Sequence, residues 1–173
     1  HALSVAASPS LEAARHLIAQ ADQVLAIGTE FGPTDYDMYV RGGFPDVSGM
    51  IRVDICPDQL ARHPAAVAIC ADATATVAAL LPHLAQKSGN GAERAETARL
   101  AARQELIDLD LLMPGRLEMV ETIRNALPHC LIIGDSTQPI YAANLYYDHD
   151  RPGGFFNAAT GFGALGFGPG AAV

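Results

Sequence analysis

The sequence predicts an α/β protein of two successive pieces, each a doubly wound parallel sheet with flanking helices. Three observations carry that expectation. Short, continuous apolar runs that stop at glycine or an acidic residue recur along the 173 residues, as in strands buried on both faces of a parallel sheet. Segments with helical apolar spacing alternate with these runs, the order of elements found in a wound sheet. Between the two halves lies KSGNG at residues 87–91, a linker by composition.

In the first half, residues 11–21 set Leu11, Ala14, His16, Leu17, Ile18 and Ala21 on one stripe, with Ser10 placed to cap the helix. VLAIG at 24–28 is a buried strand closed by glycine, and residues 50–55 and 67–71 supply a second and a third. Residues 73–84 are rich in alanine and leucine and follow Asp72, a favourable N-cap, so a helix closes this half. Past the linker, residues 93–109 space arginine, glutamate and alanine as in a solvated helix. The second half opens at MPG, residues 113–115. Leu117, Val120, Ile123 and Leu127 give a helix over 117–127, and CLIIGD at 130–135 a buried strand. Residues 139–147 form a further helix with Pro139 in its first turn, where a missing N–H costs little. There is no internal repeat.

Composition narrows the function. Half of the residues are hydrophobic and 17% charged, which suits a globular chain and not a disordered one. No apolar run reaches the roughly 18 to 20 residues of a membrane span, and no secretory signal pattern is present, so a soluble, cytoplasmic chain with no membrane partner is expected. A net charge of -8 repels phosphate backbones and argues against nucleic acid as a partner. Cys56, Cys70 and Cys130 stand far apart without a CxxC pair and read as reduced cysteines buried in strands. The six histidines form no HExxH and there is no GxSxG, so zinc and hydrolytic chemistries find no support. The apolar, glycine-rich run at 161–173 is unlike a solvated terminus and suggests a fragment cut inside a buried element.

Three constellations can carry chemistry. IGDSTQP at 133–139 runs from a strand end into a helix start, where free N–H groups favour anions; Ser136, Thr137 and Gln138 can hold a phosphate there, or Asp135 or Ser136 can simply cap the helix. The glycines at 161, 163, 166, 168 and 170 let backbone press against a flat ligand or another chain. Gly161, Gly163 and Gly166 match GxGxxG in spacing, but they follow a polar loop where a dinucleotide fingerprint requires a strand. GTEFG at 28–32, followed by Asp35, Tyr36 and Asp37, can bind a cation or a basic substrate tail, or serve only as a solvated turn.

As a set, these segments resemble a known family. GFGALGFGPGAA at 161–172 resembles the glycine-rich segment GxGxMGFGLPAA of thiamine-diphosphate-dependent enzymes of the acetohydroxyacid synthase and 2-oxoacid decarboxylase group, with Leu165 at the methionine position and Pro169-Gly170 in place of Leu-Pro. Upstream, ADQVLAIGTEF at 21–31 is similar to that family's ADLVLAIGARF, IRVDICP at 51–57 to IHIDIDP, and Ala71-Asp72-Ala73 to its GDA close. The resemblance implies that residues 1–88 are the C-terminal half of a Rossmann-like middle domain and 89–112 a linker and helix. Residues 113–173 would then be the N-terminal part of the diphosphate-binding domain. It implies that Ser136, Thr137 and Gln138 touch the diphosphate, that the Gly163 carbonyl accepts from the aminopyrimidine, and that Leu165 wedges the cofactor into its bent form.

The implied cofactors are thiamine diphosphate and Mg²⁺, with FAD in the middle domain of the synthases, and the implied substrate is a 2-oxoacid handled by a homodimer or homotetramer. The family's activating glutamate and its GDG...N metal motif fall outside these residues, so no catalytic or metal-binding residue is assigned here and the chain alone is expected to be inert. Residues 31–39 are more similar to 5-guanidino-2-oxopentanoate decarboxylases than to the synthase pattern RFDDRVTG, and an acidic loop suits a guanidinium. A non-catalytic nucleotide-binding or subunit-contact module fits the same apolar strands.

Overall fold

The computed structural model describes residues 1–32, 36, 44–148, 151–158 and 163–173. Strands β1 (Leu25–Ile27), β2 (Ile51–Asp54) and β3 (Val67–Cys70) form one parallel sheet in the order β1-β2-β3, with Leu25 opposite Ile51 and Val53 opposite Ile69. A second sheet pairs β4 (Ile132–Gly134) in parallel with β5 (Phe155–Asn157). The expected α/β class and parallel pairing are therefore what the chain adopts. β5 was not foreseen, because three residues after a glycine-rich turn give no periodicity to read.

The helices are α1 (Glu12–Ala19), the single turn α2 (Pro57–Leu60), α3 (Ala73–Leu80), α4 (Gly91–Leu109), α5 (Met113–Ala126), α6 (Gln138–Leu145) and the short α7 (Phe167–Ala171). Asp72 caps α3 as its sequence position predicts, accepting from the N–H of Ala75 at 2.8 Å. Helix α5 starts at Met113, not 117, since Pro114 in a first turn sacrifices no hydrogen bond. No helix among the described residues is long and apolar enough to cross a membrane.

The main core lies between helices, with Ile132 of β4 and Phe155 of β5 packed against it. Leu11, Ala102, Leu106, Met113, Leu117, Val120, Ala142, Ala143, Leu145, Tyr146 and Tyr147 form one buried cluster drawn from the start of α1, from α4 and α5, and from the end of α6. Burying each large member contributes about 1.5–3 kcal/mol. The solvated helix expected over 93–109 is solvated on one side only. Ala95, Ala98, Ala102 and Leu106 recur at helical spacing and are buried, and the small side chains let α1 and α5 pack closely on α4. The N-terminal segment completes the arrangement: Ala7 bridges antiparallel to Tyr146, the N–H of Ser8 donates to the Leu145 carbonyl at 2.8 Å, and Arg99 donates to the carbonyls of Ala2 and Ser4.

Two expectations need correction. Ser10 does not cap α1; the N-cap position is Leu11, which has no oxygen to offer. The Glu105 carboxylate of α4 does the work, accepting from the N–H groups of Glu12 at 2.9 Å and Ala13 at 3.2 Å. Nor are the cysteines all buried in strands. All three are free, but Cys70 is exposed, because β3 is an edge strand with a solvated face, and Cys56 and Cys130 lie half-buried outside strands.

Arg52 of β2 is a buried charge, 1% exposed, with no ion-pair partner among the described residues. It donates to the Thr29 carbonyl at 3.0 Å and, more weakly, to that of Leu60, and lies 5.1 Å from the centre of the Phe31 ring. These contacts tie the loop after β1 to α2.

Leu145→Ala should cost about 2–5 kcal/mol in urea unfolding, because the site is 0% exposed and hemmed in by helices. Leu111→Ala, at a position 85% exposed, should stay within about 0.5 kcal/mol. Equal stabilities would show that the helical cluster does not close the fold.

Candidate functional site

The residues singled out in the sequence converge where β4 ends. Gly134 closes the strand and must be glycine, since a Cβ there would collide with the side chain of Ile140 and push α6 off the sheet. The chain then passes through Asp135, Ser136 and Thr137 into α6. Thr137 occupies the N-cap position in an extended conformation, and no side chain caps the helix. Of the first helical residues, Gln138 and Ile140 retain N–H groups pointing out of the first turn, while Pro139 has none to satisfy. The capping alternative for Asp135 and Ser136 is therefore not realised.

Ser136 and Gly163 are brought side by side from 27 positions apart in the chain: a Cβ built on Gly163 would lie 3.5 Å from Ser136 Oγ. The Ser136 hydroxyl oxygen is itself buried and has no hydrogen-bond partner among the described residues. Gly163 holds φ at +64°, a left-handed value that L side chains avoid, so backbone conformation and not space selects glycine here. Thr137 and Gln138 are exposed beside this pair, and Leu165 is exposed on the same segment.

Asp135 does something its sequence position did not announce. One carboxylate oxygen accepts from the N–H of Gly166 at 2.7 Å and the other from the N–H of Gly168. The amides of Gly168 and Gly166, and then that of Phe167, hold this carboxyl below its ordinary value of 3.8. An acid directly after a strand and before a helix reads as a local cap; only its spatial neighbour shows the other use. Phe167 in turn lies beside Phe156 of β5, with ring centres 5.8 Å apart.

The comparisons bear on what this arrangement is for. Residues 1–80 match the family described as "Thiamine pyrophosphate enzyme, central domain". Residues 1–80 are thus a central-domain segment of the thiamine pyrophosphate enzyme kind. It is 34% identical over 169 residues to a Pseudomonas aeruginosa protein named "probable 2-ketoarginine decarboxylase", an alignment covering 96% of this chain and 29% of that protein. It is 33% identical over 106 residues to the sulfoacetaldehyde acetyltransferase of Rhodobacter capsulatus, covering 57% of this chain and 18% of the relative. The chain thus spans less than a third of the length of either relative.

The family's cofactor, thiamine diphosphate, fits the β4–α6 loop on one observation above others: a buried hydroxyl without a partner, set beside a glycine at the open start of a helix, is a vacant hydrogen-bonding position for an anion. Glu30, Asp54 and Asp72 follow or end the three strands of the first sheet, and Asp72 is engaged in capping α3. Among the described residues no three His, Cys, Asp or Glu side chains gather as metal ligands. The acidic loop expected to meet a guanidinium, Asp35 and Asp37, lies outside the described residues.

Because the folded-state value of Asp135 is lowered, its contribution to holding the segment is complete above the ordinary carboxylate value and is lost as pH falls through the lower, folded value. In an NMR titration from pH 7 downward, the Gly166 and Gly168 amide shifts should stay constant through pH 5 and move only below 3.8. Movement centred above that value would mean that the amides do not hold the carboxylate.

Proposed function

We propose that this chain is part of a thiamine-diphosphate-dependent enzyme that decarboxylates a 2-oxoacid, and that Ser136, Thr137, Gln138, Gly163 and Leu165 are its contribution to the cofactor site. The supporting observation is the partnerless, buried Ser136 hydroxyl against Gly163 at the start of α6. In this reading Ser136 Oγ and the free N–H groups of Gln138 and Ile140 receive the diphosphate, while Gly163 brings backbone close enough for its carbonyl to meet the aminopyrimidine. When bound, the cofactor supplies an electron sink for loss of carbon dioxide. Leu165, exposed by 74%, offers an apolar side chain for the cofactor to bend over.

The finer assignments belong to the same proposal. Mg²⁺ accompanies the diphosphate on ligands supplied from beyond these residues, because the Ser–Thr–Gln loop is neutral and cannot offset a diphosphate's charge alone. The substrate we assign is 5-guanidino-2-oxopentanoate, on the strength of the 34% identity to a protein named for that acid, 2-ketoarginine. The relative named as an acetyltransferase supports a second reading, in which the same cofactor transfers its two-carbon unit to an acceptor. We place the enzyme in the cytoplasm as a homo-oligomer. Met119, Ile123, Leu127, Leu131 and Phe156 leave apolar surface exposed on the second half, which a subunit contact would cover.

Calorimetry tests the site. Thiamine diphosphate with Mg²⁺ should bind the full-length protein that carries this chain, and Ser136→Ala should weaken binding about tenfold, the worth of one hydrogen bond to a charged group. Equal affinity of the variant would remove Ser136 from the site, and absence of binding to the unaltered protein would overturn the assignment. Carbon dioxide release should be faster from 5-guanidino-2-oxopentanoate than from pyruvate; the reverse would favour another 2-oxoacid.

A further inference from the structure

We propose that Asp135 is a positioning residue for the cofactor site: by gripping the backbone of the glycine-rich segment, its carboxylate sets Gly163 and Leu165 against the 136–138 loop before thiamine diphosphate arrives. The inference rests on the reading of the site given above and goes beyond it, because Asp135 is not one of the residues that reading places on the cofactor.

The geometry is a two-oxygen grip. Gly166 N–H donates to one carboxylate oxygen and Gly168 N–H to the other, from a segment that begins 28 residues further along the chain. Gly168 fits so closely that a Cβ on it would come within 3.1 Å of Asp135 Oδ1 and 3.4 Å of the Ile133 carbonyl. Gly166, with φ at +86°, makes the turn that aims successive N–H groups at one acceptor. A carboxylate is the side chain for this task, since it only accepts and has two oxygens to offer, whereas serine or asparagine presents one acceptor atom.

The grip also decides what Asp135 does not do. With each oxygen holding a backbone amide, it does not cap α6, and the amides offset a negative charge that would otherwise face a diphosphate beside Ser136. The need for such a tie is entropic. Gly163, Gly166, Gly168 and Gly170 lie within eight residues, and glycine loses more conformational freedom on ordering than any other residue. If the segment were ordered in only a fraction f of molecules, the apparent dissociation constant for the cofactor would rise by 1/f.

The test compares the full-length protein with its Asp135→Asn and Asp135→Ala variants, reading amide hydrogen exchange without cofactor and thiamine diphosphate affinity in the presence of Mg²⁺. Exchange at Gly166, Phe167 and Gly168 should accelerate in the order Asn then Ala, with amides of β2 as a control that the fold survives. Affinity should fall about tenfold or more in the alanine variant, the consequence of an ordered fraction near one in ten. Saturating cofactor should restore slow exchange at the three amides, which a purely structural lesion would not allow. Unchanged exchange would overturn the grip, and faster exchange with unchanged affinity would overturn the positioning role. If the unaltered protein binds no thiamine diphosphate, the site reading fails together with the positioning role, whereas the exchange rates still report whether the carboxylate holds the segment.

Discussion

Everything else in this structure hangs on the packing of Leu11, Leu106, Leu145 and Tyr146 between helices. Each is 0–1% exposed, and they come from three separate stretches of chain. Because the sheets are short, with strands of three or four residues, neither can supply a core by itself. The helices α1, α4, α5 and α6 therefore supply the main core, with β4 and β5 packed against it, while the first sheet packs on α2 and α3. The alanines of α4 make this possible by keeping the neighbouring helices close.

Two carboxylates then fix segments that lack caps of their own. Glu105 receives the first amides of α1 across 93 positions, and Asp135 receives those of the glycine-rich segment across 31 and 33. In both cases the helix begins at a residue with no side-chain oxygen, Leu11 or Gly166, so its orphan N–H groups must be satisfied from elsewhere. The charge chosen is the one the helix dipole favours at an N-terminus. Arg52 applies the converse solution in the first sheet, a buried cation held by carbonyls and an aromatic face, with its Nε left without a partner among the described residues.

The candidate site inherits its order from these ties. Gly134 lets α6 sit against β4, which aims the start of α6 along the strand's carboxyl end, the usual place for a ligand in a parallel sheet. Asp135 then brings a segment from far along the chain to the same point, and Ser136 Oγ is left buried between the two without a partner among the described residues. The match of residues 1–80 to the thiamine pyrophosphate enzymes is what supports the diphosphate reading proposed for this hydroxyl.

Much of this was legible in the residues. Short apolar runs located β1, β2, β3 and β4, with glycine closing the first and last of them, the alternation with helices announced parallel pairing, and the motif pattern around 21–31, 51–57 and 161–172 pointed to the family, because strand burial and tight glycine turns are local demands that leave local marks. Asp72 could be read as a cap for the same reason: its partner, Ala75, is three residues away. What the sequence could not determine were the partners at long range. Ser10 looked like the cap of α1 and Asp135 like the cap of α6, yet Glu105 serves α1 and Asp135 serves the glycine-rich segment. A hydrogen bond between residues 31 or 93 positions apart has no periodicity, so only the packing of α1 on α4 and of the segment on β4, settled by the shared helical core, decides which carboxylate meets which amide.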